Sequence, residues 1–266
     1  MFTTTNNLKG LVVRATDGEL GTVDQLYFDD ESWAVRYLTL ETGGWLGGKS
    51  VLISPMSVRG IDWQARRLEV ALTMHQVEHS PSIDQHRPVS RQHEAAYLGY
   101  YGYPYYWDGP ALWGPSYSPA GFITDTAIKQ QVVDERMQKE SGDSHLHSTE
   151  AVAGYYLHAS DGEVGHIDQF IVDDEAWAIR YLEVATQNWW PGKKVLLSPE
   201  WVDRISWAES QIYVSVSRIA IRTCPEYLDS MAITRDYEDQ LYRHYGHPPY
   251  WKSDYPHDLT LSHSAR

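Results

Sequence analysis

The residues able to do chemistry fall into four groups. His75 and His79 stand four apart, so a helix would put both imidazoles on one face with metal-ligand spacing. No third ligand is nearby, and the positions 144 residues later are Ile219 and Thr223, so the pair is not taken as a metal site. Asp29-Asp30-Glu31 and Asp173-Asp174-Glu175 offer carboxylate oxygens to a hard cation. Adjacent residues on a turn point in different directions, and no spaced acidic loop is present, so both are read as solvated turns. His145-Leu146-His147 lies in a stretch read as flexible. Cys224 has no local His or second Cys to activate it and reads as an ordinary thiol.

Arg36 and Arg180 make up the fourth group. Each sits mid-strand among apolar neighbours, where a guanidinium needs a carboxylate partner. Asp24 and Asp168, on the preceding strand, are the natural candidates. A three-residue turn at Asp29-Asp30-Glu31 would set Asp24 opposite Arg36, whereas a two- or four-residue turn would bring Gln25 there. The expected roles are structural ion pairs, with ligand binding by the arginines as the alternative. The chain has no Gly-x-Ser-x-Gly elbow, phosphate loop or dinucleotide fingerprint. The expectation is therefore no catalytic residue, no metal and no cofactor.

The elements that position these groups are written twice. Asp17-Gly18-Glu19-Leu20-Gly21 through Leu40 recurs as Asp161-Gly162-Glu163-Val164-Gly165 through Val184, 144 residues later and without a gap. In the first copy, strands are expected at 8–13, 22–28, 33–40, 49–53 and 68–72, separated by Gly, Asp and Pro turns. The run from Trp33 to Leu40 is apolar on both faces and should be covered on both. One or two helical turns are expected from Thr73 to His79, and Ser90 should cap a helix over 91–100. Tyr101-Gly102-Tyr103-Pro104-Tyr105-Tyr106-Trp107 follows, and recurs as Tyr245-Gly246-His247-Pro248-Pro249-Tyr250-Trp251. Gly18, Gly21, Gly48, Trp33, Trp45 and Trp63 all have counterparts at the same offset. The glycines suit fixed backbone geometry, and at least two tryptophans of each set should be core.

The expected organisation is a first repeat over 6–107, a linker with a helix near 124–140 inside 108–150, a second repeat over 151–252, and a disordered tail over 253–266. Formal charge is −14, which argues against nucleic acid and anionic membranes as partners. No stretch has the length and apolarity of a membrane span, and one cysteine fits a reducing compartment. A cytoplasmic location is expected. The 19 Tyr and 11 Trp against 4 Phe favour rings packed at one end and wet at the other, as at interfaces.

The order of strand, Asp-Gly-Glu-x-Gly, strand, acidic turn, Trp-x-x-Arg-Tyr-Leu and a lysine-led strand ending in Ser-Pro resembles the PRC-barrel family, over about 8–73 and 152–217. That family takes its name from the cytoplasmic domain of the photosynthetic reaction-centre H subunit; a related domain forms the C-terminal half of a 16S ribosomal maturation factor. The two copies with their tails look like bacterial tandem PRC-barrel proteins. The resemblance implies a mainly β fold: two small antiparallel barrels in tandem, each with a short helix and a Tyr/Trp-rich tail, packed as a pseudo-two-fold pair. It implies a non-catalytic adaptor or scaffold. Tyr101, Tyr103, Tyr105, Tyr106, Trp107, Tyr245, Tyr250 and Trp251, with the inter-barrel groove, are the candidate surface for an unidentified protein partner or for self-association. An H-subunit-like part in photosynthetic electron or proton transfer is a second reading, although the H subunit's membrane helix has no counterpart here. An enzyme using the groove is a third.

Overall fold

A computed structural model describes residues 1–44, 46–47, 50–81, 89–124, 145–186 and 193–252. Trp45, Gly48, Trp189, Gly192, the predicted helix near 124–140 beyond Thr124, and the tail over 253–266 lie outside the described residues. The first copy runs β1 (Phe2–Thr4), α1 (Thr5–Leu8), β2 (Val12–Arg14), β3 (Glu19–Asp29), β4 (Val35–Glu41), β5 (Leu52–Ile53), β6 (Val58–Asp62), β7 (Arg67–Val70), α2 (Met74–Glu78) and α3 (Arg91–Tyr101). A short helix α4 (Pro119–Thr124) follows. The second copy runs β8 (Leu146–Ser148), α5 (Thr149–Val152), β9 (Tyr156–Ala159), β10 (Gly162–Asp173), β11 (Ala178–Ala185), β12 (Lys194–Leu197), β13 (Val202–Ser206), β14 (Gln211–Val214), α6 (Arg218–Thr223) and α7 (Arg235–Tyr245).

The fold is mainly β, in two sheets. One is ordered β5-β4-β3-β2-β7-β6 with β8 added to β3; the other is β12-β11-β10-β9-β14-β13 with β1 added to β10. Two expectations are corrected. Neither sheet closes into a barrel by backbone pairing, since β5 and β6, or β12 and β13, are the two ends of an open path. Ser54 and Ser198 each cap a 3-10 turn that begins with a proline and swings the chain out of the ladder. The sheets are also not wholly antiparallel, because β2 pairs parallel with β7 and β9 with β14.

Phe2–Thr4 and Leu146–Ser148, which precede the predicted repeats, are strands that cross over. β1 pairs antiparallel with β10 in the second copy's sheet, and β8 pairs with β3 in the first copy's. The predicted flexibility around 141–149 therefore does not hold at 146–148. Backbone bonds also link the two β3–β4 and β10–β11 turns: Val35 N–H donates to Trp177 O at 2.7 Å, and Ile179 N–H to Trp33 O at 2.8 Å. Trp33 and Trp177 adopt positive φ, 57° and 50°, to make that meeting. Buried apolar side chains from both sheets form one continuous core, which includes Phe28, Phe170, Leu38 and Leu182.

Gly21 and Gly165 are demanded by close approach. A Cβ there would lie 2.2 Å from Glu41 O and 2.1 Å from Ala185 O respectively. β4 is buried at every position but its last, as its two-faced apolar pattern predicts. Ser90 and Thr234 cap α3 and α7 by accepting from the backbone N–H of His93 and Tyr237, and Gly102 and Gly246 end both helices in the left-handed region.

Candidate functional site

Where each tail meets its sheet, the same constellation is built twice from positions 144 residues apart. Glu94 on α3 is fully buried, and the hydroxyls of Tyr37 on β4 and Tyr106 in the tail both donate to its Oε1. Glu238 on α7 accepts likewise from Tyr181 at 2.6 Å and Tyr250 at 3.1 Å. A guanidinium one turn earlier on each helix completes the group: Arg91 to Glu94 at 3.4 Å and Arg235 to Glu238 at 3.1 Å. Those two arginines also lie over the rings of Trp107 and Trp251, at 4.5 and 4.0 Å. Burial drives the Glu238 carboxyl up; hydrogen bonds from the two tyrosines and the charges of Arg235 and Arg180 oppose it without cancelling it. Burial and the neighbouring Glu94 charge push both Tyr37 and Tyr106 well above the usual phenol range, so both stay protonated donors.

Arg36 and Arg180 both form ion pairs, but their carboxylate partners differ from those expected. Arg36 pairs with Asp29 at 3.5 Å, donates to Ser32 Oγ at 3.0 Å and to Leu112 O at 2.7 Å, and stacks 3.7 Å over the Tyr106 ring. Arg180 pairs with Asp173 at 3.8 Å and lies 4.0 Å over Tyr250. Asp24 instead receives the Thr39 hydroxyl at 3.5 Å, and Asp168 meets Lys194 at 3.3 Å. Strand register explains the difference. Val23 faces Leu40 and Tyr27 faces Tyr37, so Asp24 lies well beyond reach of Arg36, while irregularities around 24–25 and beyond Tyr27 bring Asp29 alongside the arginine.

Asp29 is accordingly no solvated turn residue. It is buried, and its Oδ1 accepts from the N–H groups of Glu31 and Ser32. Burial alone would raise its pKa; the Arg36 charge and these N–H bonds outweigh burial and hold it below the ordinary carboxylate value.

The predicted aromatic surface is largely turned inward. Tyr106 and Tyr250 are buried, while Tyr101, Tyr103, Tyr105, Trp107, Tyr245 and Trp251 are half-buried against the core. Half-exposed rings that stack on one another, such as Tyr105 on Trp107 at 4.7 Å, stay partly accessible. The sequence reading missed Glu94, Glu238, Arg91 and Arg235. Their signal was present, because all four recur at the same offset as the tyrosines they serve.

One member has no counterpart. His145 Nε2 lies 3.0 Å from Glu94 Oε2, and its backbone carbonyl accepts from Asp30 N–H. Burial would lower its pKa, but the hydrogen bond and charge of Glu94 raise it above the free imidazole value. His75 and His79 stack at 4.3 Å on α2, with His79 Nδ1 2.9 Å from His75 O. Cys224 is buried, and burial raises its thiol.

Between the sheets lies a cavity of about 670 Å³. It is lined by the acidic turn of the first copy (Asp30, Ser32, Trp33) and by the second copy's 198–207 segment, with Leu112, His145, Arg180 and Tyr250 also on its wall. Residues 4–73 match the family model of the PRC-barrel domain. That stretch is a PRC-barrel domain. The match spans β2 to β7, and so includes Gly21, Asp29 and Arg36. No curated protein matches the chain. None of the described helices is long and apolar enough to cross a membrane.

Proposed function

We propose that this is a non-catalytic interaction module: a tandem pair of PRC-type domains related by a pseudo-two-fold axis, acting in the cytoplasm, with the cleft between the sheets as its docking surface. The observation that carries this reading is the duplicated tyrosine–glutamate–arginine group. Its carboxylates, phenols and guanidiniums bind one another and pin the tails to the sheets, so groups with the chemistry of an active site serve architecture instead. Reciprocal pairing of β1 with β10 and β8 with β3 supports the two-fold relation, since each copy lends the same strand to the other.

The test is proximity cross-linking in the native host, with a photo-reactive residue at Asp203 in the cleft and, separately, at Arg14 on the outer edge. The module reading expects a discrete cross-linked protein from the cleft position. Turnover of a metabolite that stops when one cleft residue is changed would contradict it.

A further inference from the structure

The cleft has a twin, and the twin is full. At the same 144-residue offset, Ser32, Arg180, Tyr250 and Val202 of the open cleft correspond to Ala176, Arg36, Tyr106 and Val58. That second groove holds the chain's own Trp113, and Leu112 before it stands between the two grooves, bonded to Arg36 while also lining the open cleft. The Trp113 ring is fully buried, its Nε1–H donates to Ala176 O at 2.7 Å, and Leu112 O accepts from Arg36 at 2.7 Å. Tyr106 meets the indole edge-on, and α4 then packs on the 3-10 turn at Pro55–Ser57. At the same offset Leu112 and Trp113 correspond to Pro256 and His257, and no described residue fills the open cleft as Trp113 fills its twin.

The open cleft also differs in charge. Where the filled groove has Met56, Arg59 and Gly60, the open one has Glu200, Asp203 and Arg204, so two acids and one base stand in place of one base; the facing turns are acidic in both, Asp30 and Glu31 at the open cleft and Asp174 and Glu175 at the filled one. We propose that the cleft between the first copy's acidic turn and residues 198–207 binds a tryptophan-bearing peptide segment of a partner protein, with basic residues following the tryptophan. The indole takes the place that Trp113 holds in the twin groove, with Ser32 O as its acceptor and Arg180 reaching the preceding carbonyl. The basic residues, six to eight positions on where α4 lies in the twin, meet Glu200 and Asp203. This rests on the two-fold module reading and names the partner's chemistry.

The probe is a fluorescein-labelled peptide with the chain's own sequence over 108–121, alongside a version with lysine in place of Ala120 and Gly121 and a third with alanine in place of Trp113. Anisotropy on the full-length protein should give saturable binding of the first, at least threefold tighter binding of the lysine version, and at least tenfold weaker binding without the tryptophan. Asp203→Lys combined with Glu200→Gln should abolish the lysine advantage, with the far-UV spectrum and melting temperature showing the variant folded. Amide shifts should centre on Ser32, Trp33 and Val202. No binding below millimolar protein, indifference to the tryptophan, or shifts mapping elsewhere would overturn the inference. So would sedimentation showing the cleft closed by a second copy of the chain. A cleft cross-link to a partner whose contacting segment lacks tryptophan would sink this inference and leave the module reading standing.

Discussion

Glu238 shows what a buried carboxylate demands. Its side chain accepts two phenols and one guanidinium, so Glu238→Ala strands three donors at once. Removing one partner from such a group costs about 3 kcal/mol, and a urea midpoint lowered accordingly is expected, with Tyr181→Phe falling between variant and wild type. His145 sets a pH dependence. Its raised folded pKa means that its stabilising contribution is complete below about pH 6.5 and is lost as pH rises through the folded value. Asp29 runs the other way: depressed in the fold, it contributes above about pH 3.9 and the contribution is lost as pH falls through the lower folded value. His145→Asn should therefore lose more stability, relative to wild type, at pH 5.5 than at pH 8.5; equal losses in urea titrations would contradict the Glu94 pairing. Sequence reading could see that Arg36 needs a carboxylate but not which one. Asp24 on the preceding strand is the expected partner and Asp29 reads as a solvated turn; the pairing with Asp29 depends on irregularities at residues 24–25 and beyond Tyr27 that nothing in the local composition announces.

At the scale of elements, the repeated Asp-Gly-Glu-x-Gly was legible because its geometry is local. Gly21→Ala would place a methyl carbon 2.2 Å from Glu41 O in a residue at φ 139°, and should cost more than about 2 kcal/mol, opening the β3–β4 pairing. Gly165→Ala should do comparable harm through Ala185 O alone. Melting curves of the two variants test this, and a change under 1 °C in either would be inconsistent with the contact. The helix caps at Ser90 and Gly102 were legible for the same reason. The crossing of β1 and β8 was not. Phe2-Thr3-Thr4 and Leu146-His147-Ser148 are too short to show a period, and their partners lie in the other copy, so only the assembled sheet gives them a role.

Seen whole, the two halves interlock through the exchanged strands, the paired Trp33 and Trp177 turns and the Trp113 plug, among other contacts. The plug is the best single probe of how far this interlock stabilises the chain. Trp113→Ala empties a fully buried indole site and leaves Ala176 O without its donor, so a loss of about 3–5 kcal/mol is expected in a denaturant titration. The duplication was readable from the sequence, but the inequality of the two grooves was not. It depends on Trp113 folding back into one groove from a stretch whose Gly and Pro content signals only a linker.

The central claim is that each copy completes the other's sheet. Hydrogen exchange on the intact protein, followed by mass spectrometry of peptides covering 1–8 and 145–152, measures that directly. The interlocked fold predicts protection of both segments lasting as long as that of β3 and β10. Exchange of either at the rate of an unstructured chain, while β3 and β10 stay protected, would contradict it.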